Sequence, residues 1–224
     1  MAALFETYRP NAWDEVVGQD DALRIVALWR KRGELTGNGL WMSGQSGTGK
    51  TTIARLIAHE VADPLCITEL DAKSLTENGI TEAVRSLRHR PLFGAKQARV
   101  LILNEAHRLR RDAVGALLTL LEDDFPPHAL IVFTTTCEGE AKFEDAGDAD
   151  TAAFLSRLAK LSLRRQGLCQ PFAKRAAEIA RREELAPETM SDEELLKRVT
   201  SIVKEERNNL RATLMAIHSG ALLA

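Results

Sequence analysis

The chain has 224 residues, of which 45% are apolar and 28% charged, with a formal net charge of −2. That length suits one large domain, or a medium domain with a small one attached, and the composition is that of a soluble globule. It excludes a membrane span, because no apolar run approaches ~18 residues, and a secretory signal, because the opening MAALFETYRP has no apolar core. It also excludes a protein that attracts nucleic acid by overall charge. The three cysteines, Cys66, Cys137 and Cys169, lie far apart without CxxC pairing, which argues against zinc. Their odd number fits a reducing compartment, and a cytoplasmic, intracellular location is expected.

In chain order, a helical pattern over 20–32 leads to the apolar run GLWMSG at 39–44, which reads as a buried strand. A helix follows over 50–61, a strand over 66–71, a helix over 79–89 and a strand over 100–104. Then come a helix over 110–122 and strands over 129–135 and 158–163. Short apolar runs alternating with helical periodicity predict a parallel sheet covered by helices. Between the last two strands lies the acidic stretch 137–150, with Glu138, Glu140, Glu144, Asp145, Asp148 and Asp150. It reads either as a disordered excursion or as a contact for a basic partner. From about residue 168 the strand signals stop, and helices are expected over 171–185, 191–203 and 208–223. Ser191 with Glu194 makes a capping box for the second of them. The fold class is α/β: a domain over 1–166 with a five-stranded parallel sheet, then a small three-helix domain over 167–224.

The stretch GQSGTGKTT at 44–52 carries the clearest chemistry. Gly44, Gly49, Lys50 and Thr51 satisfy GxxxxGK[ST], with Gln45, Ser46, Gly47 and Thr48 between them and Thr52 after. The match follows a predicted strand and opens a predicted helix. Glycines let successive backbone N–H groups turn toward phosphate oxygens, and the helix N-terminus adds partial positive charge. Lys50 would reach the β- and γ-phosphates of a nucleoside triphosphate, and the Thr51 hydroxyl would hold Mg²⁺. Further on, RVLILNEAH ends a predicted strand with Asn104 and Glu105, where a nucleotide hydrolase places a metal-side carboxylate and then the base that polarises water. An amide at 104 brings no charge, so Mg²⁺ affinity should fall while Glu105 keeps the water-activating role. His107 has no companion at ligand spacing and reads as structural.

These motifs resemble the clamp-loader subunits of the AAA+ ATPases, the group that includes replication factor C and the bacterial DNA polymerase III loader. The resemblance covers roughly residues 4–218 and implies a P-loop AAA+ domain with a helical lid, using ATP and Mg²⁺. YRPNAWDEVVGQDDAL at 8–23 is similar to the family's N-terminal signature, which implies that Tyr8, Arg9, Pro10, Val16 and Val17 line the adenine pocket. ELDAKSLTENGITEAVRSL resembles the strand and helix between the Walker motifs, and FTTT the sensor-1 strand, with the sensor at Thr135 or one residue to either side, Thr134 or Thr136. FLSRL resembles the Ser-Arg-Cys motif, which makes Arg157 the finger that reaches a neighbour's γ-phosphate. NNLRATL resembles sensor 2, which makes Arg211 the γ-phosphate contact in cis. The departures are Asn104 for the usual aspartate, Leu158 for cysteine, the long acidic segment, and the absence of a collar domain after the lid.

The resemblance also implies partners: other subunits, homo- or hetero-oligomeric, through AAA+ interfaces, with DNA and a ring-shaped clamp as further candidates. Residues 85–111 hold eight Arg and Lys residues against the single acid Glu105. Arg85 and Arg88 share a helix face, and Arg110 and Arg111 open the next helix. Contacts from these four to a DNA backbone would be sequence-neutral and salt-sensitive. Two functions follow: an ATPase acting on DNA or a DNA-bound protein, or an assembly subunit that binds ATP and hydrolyses it little because of Asn104. A small-molecule kinase using the same loop would lack the Val-Gly-Gln opening and the sensor series.

Overall fold

A computed structural model describes residues 3–92, 94–122, 125–145 and 149–223. Among them the chain runs α1 (Leu4–Thr7), α2 (Asp20–Arg32), β1 (Asn38–Gly44), α3 (Lys50–Val61), β2 (Ile67–Asp71) and α4 (Glu77–Leu87). It continues with β3 (Arg99–Asn104), α5 (Arg111–Glu122), β4 (Ala129–Thr135), α6 (Cys137–Asp145), α7 (Ala149–Ser156) and β5 (Leu158–Leu163). Three helices close it: α8 (Cys169–Arg182), α9 (Asp192–Glu205) and α10 (Leu210–His218). These residues divide into two compact units. One comprises Met1–Asp20, Gln45–Thr52 and Arg164–Ala224, the other Asp21–Gly44 and Ile53–Leu163. The sequence reading divided the chain at 166/167. The N-terminal segment and the phosphate loop group with the helical segment because Leu4, Phe5, Tyr8 and Val17 pack with its core.

In the unit of 21–44 and 53–163, the five strands are parallel in the order β2-β3-β4-β1-β5. The predicted five-stranded α/β sheet is the observed one. Every residue of β4 is buried, as are all but the first of β1, which explains why these strands read as continuous apolar runs. The edge strands β2 and β5 alternate or mix burial and exposure. Strands 129–135 and 158–163 match prediction to the residue. β2 starts at Ile67 rather than Cys66 because Cys66 closes a 3₁₀ turn begun by Pro64. α4 starts two residues early, at Glu77, because Thr76 caps it by accepting from the Gly79 N–H at 3.1 Å.

The core of this unit is built around Trp41 of β1, which is wholly buried. Its ring centroid lies 5.9 Å from Phe133, 5.6 Å from Phe143 and 6.2 Å from Phe154, the last edge-on. The indole N–H donates to Glu140 Oε1 at 2.8 Å. That bond corrects the reading of residues 137–145 as a disordered excursion. Residues 137–145 form α6, whose Phe143 enters the aromatic core and whose Glu140 satisfies the buried indole. α7 follows from Ala149, and residues 146–148 lie outside the described residues.

In the other unit, α8 buries Phe172, Ala173, Ala176, Ile179 and Ala180, at the three- and four-residue spacing of one helix face. Leu195, Val199, Ile202 and Val203 of α9 and Leu214 and Ile217 of α10 complete the cluster. Ser191 caps α9 through the Glu194 N–H at 3.2 Å, as the sequence predicts. α10 starts at Leu210 because Asn209 caps it, and it ends at His218, with Ser219 as its C-cap and Gly220 at φ 93°.

The aromatic cluster sets a stability test. Phe154→Ala removes a wholly buried ring and should destabilise this unit by about 3–5 kcal/mol, read from urea unfolding followed by Trp fluorescence. A change below about 1 kcal/mol would mean that the ring is not packed as described.

Candidate functional site

The phosphate loop follows β1 and runs into α3. Gly47 and Gly49 adopt φ of 77° and 98°, conformations open to glycine and costly for other residues. Side chains hold three of its carbonyls. Gln45 O accepts from Lys50 Nζ at 2.9 Å and from Thr48 Oγ1 at 2.8 Å. Ser46 O accepts from Arg165 Nη2 at 2.8 Å, and Thr48 O from Gln19 Nε2 at 3.1 Å. Gln19 also donates to Arg164 O at 2.9 Å. These bonds fix the curve of the loop. Asn209 lies against it, its Oδ1 only 1.9 Å from where a Cβ on Gly47 would stand.

Within the same unit a cavity of about 610 Å³, open mouth included, lies against Gly47, Gly49 and Thr52. Tyr8, Arg9, Pro10 and Val17 line it, as the N-terminal signature implies, but Val16 is not part of the lining. Arg175, Ile179, Leu210, Arg211 and Leu214 complete much of the wall, so an apolar floor carries a few polar groups, the usual character of a small-molecule site. Tyr8 donates to Glu183 at 2.5 Å, and this bond raises its phenol above the ordinary value. The Arg182 guanidinium sits 5.6 Å from the Tyr8 ring centroid. Arg9 pairs with Glu6 at 2.5 Å, and the Arg211 guanidinium lies 5.1 Å from the Phe5 ring centroid.

In the sheet unit, the C-terminal ends of β2, β3 and β4 carry a hydrogen-bonded network. Asn104 Nδ2 donates to Glu69 Oε1 at 2.7 Å, and Asn104 Oδ1 accepts from Thr134 Oγ1 at 2.8 Å. Arg55 of α3 grips Glu69 through Nε at 2.7 Å and Nη2 at 3.2 Å. Thr134, rather than Thr135, is therefore the threonine bonded to Asn104. Thr135 meets His107 Nδ1 at 3.0 Å, and Thr136 accepts from the Gly139 N–H at 3.0 Å. Glu105 has left-handed backbone angles (φ 54°, ψ 41°), unusual for a residue with a side chain and a mark of local strain. His107 Nε2 lies 3.5 Å from Glu105 Oε2. Burial holds the imidazole below its ordinary value, against the opposing pull of Glu105.

Among the described residues no group of three His, Cys, Asp or Glu side chains stands close enough to cage a metal.

Arg157 follows α7, where it pairs with Glu122 and donates to Ala153 O at 2.8 Å. Arg88, Arg110 and Arg111 are exposed, and Arg85, also exposed, pairs with Glu82 at 3.2 Å, an attraction that solvent weakens. α4 and α5 pack together, so these four arginines lie on or beside neighbouring helices. Lys96 and Arg99 of the basic segment are used internally, bonding His59 O and His89 O.

Residues 40–146 match the model of the ATPase family associated with various cellular activities (AAA). The chain is similar to the DNA polymerase III subunit gamma/tau of Mycoplasma genitalium, with 34% identity over 59% of this chain and 26% of the relative. The tau subunit of Bacillus subtilis is 31% identical over 60% and 27%. A Holliday junction branch migration complex subunit RuvB from Thermobifida fusca is 34% identical over 54% and 33%. The chain thus spans about a quarter of the gamma/tau relatives and a third of this RuvB. Among solved structures, a Thermotoga maritima RuvB mutant shares the fold, with a TM-score of 0.69, 20% identity, and 95% of this chain against 65% of that one.

The sequence signals missed Gln19, Arg165, Asn209 and Glu69. Asn209 was legible as a helix cap before LRATL, and Gln19 as the last residue of the Val-Gly-Gln turn. Nothing local marks Arg165 or Glu69, whose partners are distant in sequence.

Gly47→Ala should destabilise the unit that holds the phosphate loop by more than about 1 kcal/mol, because both φ and the Asn209 contact oppose a Cβ. An unchanged thermal melt would contradict this. His107 should titrate below free imidazole by NMR. Its folded pKa is depressed, so the stability it contributes is complete above about pH 6.5 and is lost as the pH falls through that value toward the folded pKa. His107→Gln should flatten this part of the stability profile.

Proposed function

We propose that the chain is an ATP-binding AAA+ ATPase subunit that stacks side by side with other subunits, takes ATP at their interfaces, and acts on DNA or a DNA-bound protein. The observation that carries this reading is the tethered phosphate loop opening onto a cavity lined by Tyr8, Arg9, Pro10 and Val17. The cavity's apolar floor suits the face of a purine. The loop's backbone N–H groups and Lys50 bind the phosphates, and Arg211 contacts the γ-phosphate from α10. Thr51 and Asn104 are the residues that would hold Mg²⁺, which would supply charge to neutralise the phosphate oxygens. Glu105 polarises the attacking water, its strained backbone consistent with a side chain aimed for a purpose. Thr134 or Thr135 senses the γ-phosphate.

Arg157 acts in trans on a neighbour's ATP, stabilising charge that develops in the transition state. To do so it must leave Glu122, its partner within the chain. Arg85, Arg88, Arg110 and Arg111 are the DNA contacts of this reading, and their exposure on neighbouring helices supports it. The relatives are named as subunits of a DNA polymerase and of a Holliday junction branch migration complex, which favours a DNA-bound setting. A ring-shaped clamp is the candidate protein partner.

One observation favours a second reading, a subunit that holds ATP as interfacial glue. Asn104 carries no charge, and both ends of its amide are engaged by Glu69 and Thr134. ATP bound across an interface stabilises the assembly whether or not it is split.

Steady-state ATP turnover, with and without primer–template DNA, separates the two. The ATPase reading expects DNA-stimulated turnover that Lys50→Ala abolishes. It also expects Arg157→Ala to lower turnover by about 10³-fold or more while leaving nucleotide affinity nearly intact. Turnover unchanged in Arg157→Ala would overturn the trans role. Tight ATP binding without turnover, and with ATP-dependent oligomers, would select the second reading.

A further inference from the structure

The geometry points to Glu69 as the positioning residue for Asn104, so that the two act as one unit in place of a lone metal-side carboxylate. This rests on the nucleotide reading above. Glu69 and Asp71 share one face of β2, and Asp71 is the register partner of Asn104, so Glu69 reaches Asn104 diagonally. An ionised carboxylate only accepts hydrogen bonds, whereas the Thr134 hydroxyl can either donate or accept. Glu69 therefore decides which end of the Asn104 amide faces it. The NH₂ turns to Glu69 at 2.7 Å, and the carbonyl oxygen is left for Thr134 and for hydrated Mg²⁺. The two Arg55 bonds hold Glu69 in that position.

The same contact explains why asparagine suits this position. An aspartate at 104 would set a second carboxylate against Glu69 at the distance of this hydrogen bond, where two like charges cannot both be held ionised. The carboxylate that position 104 lacks thus stands one strand away, on Glu69, where Arg55 pairs with it. Asn104 is matched to Glu69, and restoring the usual aspartate alone would bring two carboxylates into conflict.

Four proteins test this: the unaltered chain, N104D, E69Q and N104D/E69Q. Each is melted without nucleotide and titrated with a fluorescent ATP analogue, once in Mg²⁺ and once in EDTA. N104D alone is expected to melt about 2–4 °C or more below the unaltered chain and to gain nothing in the Mg²⁺-to-EDTA affinity ratio. E69Q alone should lower that ratio, because a glutamine no longer selects one amide orientation. N104D/E69Q should recover the melting temperature and raise the ratio about tenfold over the unaltered chain, since a charge then stands beside the metal without a rival. A gain in the ratio by N104D alone without loss of melting temperature would overturn the proposal, as would melting shifts that simply add. If the unaltered chain binds no nucleotide, the functional reading fails separately. The melting series still decides whether residues 69 and 104 are coupled.

Discussion

The central strands β1, β3 and β4 are buried on both faces, and the placement of chemistry follows from that one constraint. Along β1, β3 and β4 a polar side chain would have no water and no partner, so these strands are apolar almost throughout. Polar groups collect where the strands end: Ser43 on β1, Asn104 on β3, Thr134 and Thr135 on β4. Each is bonded to a neighbour across the strand ends or in the turns beyond them. Open parallel sheets place ligands at the carboxyl ends of their strands for the same reason.

Burial also demands that the few polar atoms inside be satisfied. The Trp41 indole is the clearest case: its N–H finds Glu140, and that single bond draws an acidic segment into the fold as α6. Gly139 lets the same helix approach closely, since a Cβ there would meet the His107 ring at 2.4 Å. Carboxylates elsewhere do similar positional work. Glu69 joins Arg55 to Asn104, Glu183 orients Tyr8, and Glu122 holds Arg157. Several charges are thus used in local pairs, and Arg88, Arg110 and Arg111 are exposed on the surface.

The phosphate loop is a second kind of preorganisation. A glycine-rich turn has little reason to keep one conformation, because glycine loses the most backbone freedom on ordering. Gln19, Arg165 and Lys50 compensate by fixing its carbonyls, and Asn209 occupies the space that the missing side chain of Gly47 leaves. The phosphate loop is thus held by residues from the N-terminal turn and from the segments before and within the helical part of the chain.

The sequence by itself determined what depends on local chemistry. Continuous apolar runs marked the buried strands, 3.6-residue periodicity marked the helices, and GxxxxGK[ST] marked the phosphate loop, because each pattern is the direct imprint of burial or backbone geometry. The order of motifs from Tyr8 to Arg211 was equally legible. Only the tertiary structure decided which strand ends meet. Strand order 2-3-4-1-5 puts Glu69 beside Asn104 and Thr134 on its other side, although 35 and 30 residues separate them in the chain. It decided that Glu140, one of a run of acids, serves a tryptophan 99 residues away. It also removed Val16 from the cavity wall while keeping Val17. These are pairings set by register and packing, and a linear pattern carries no record of them.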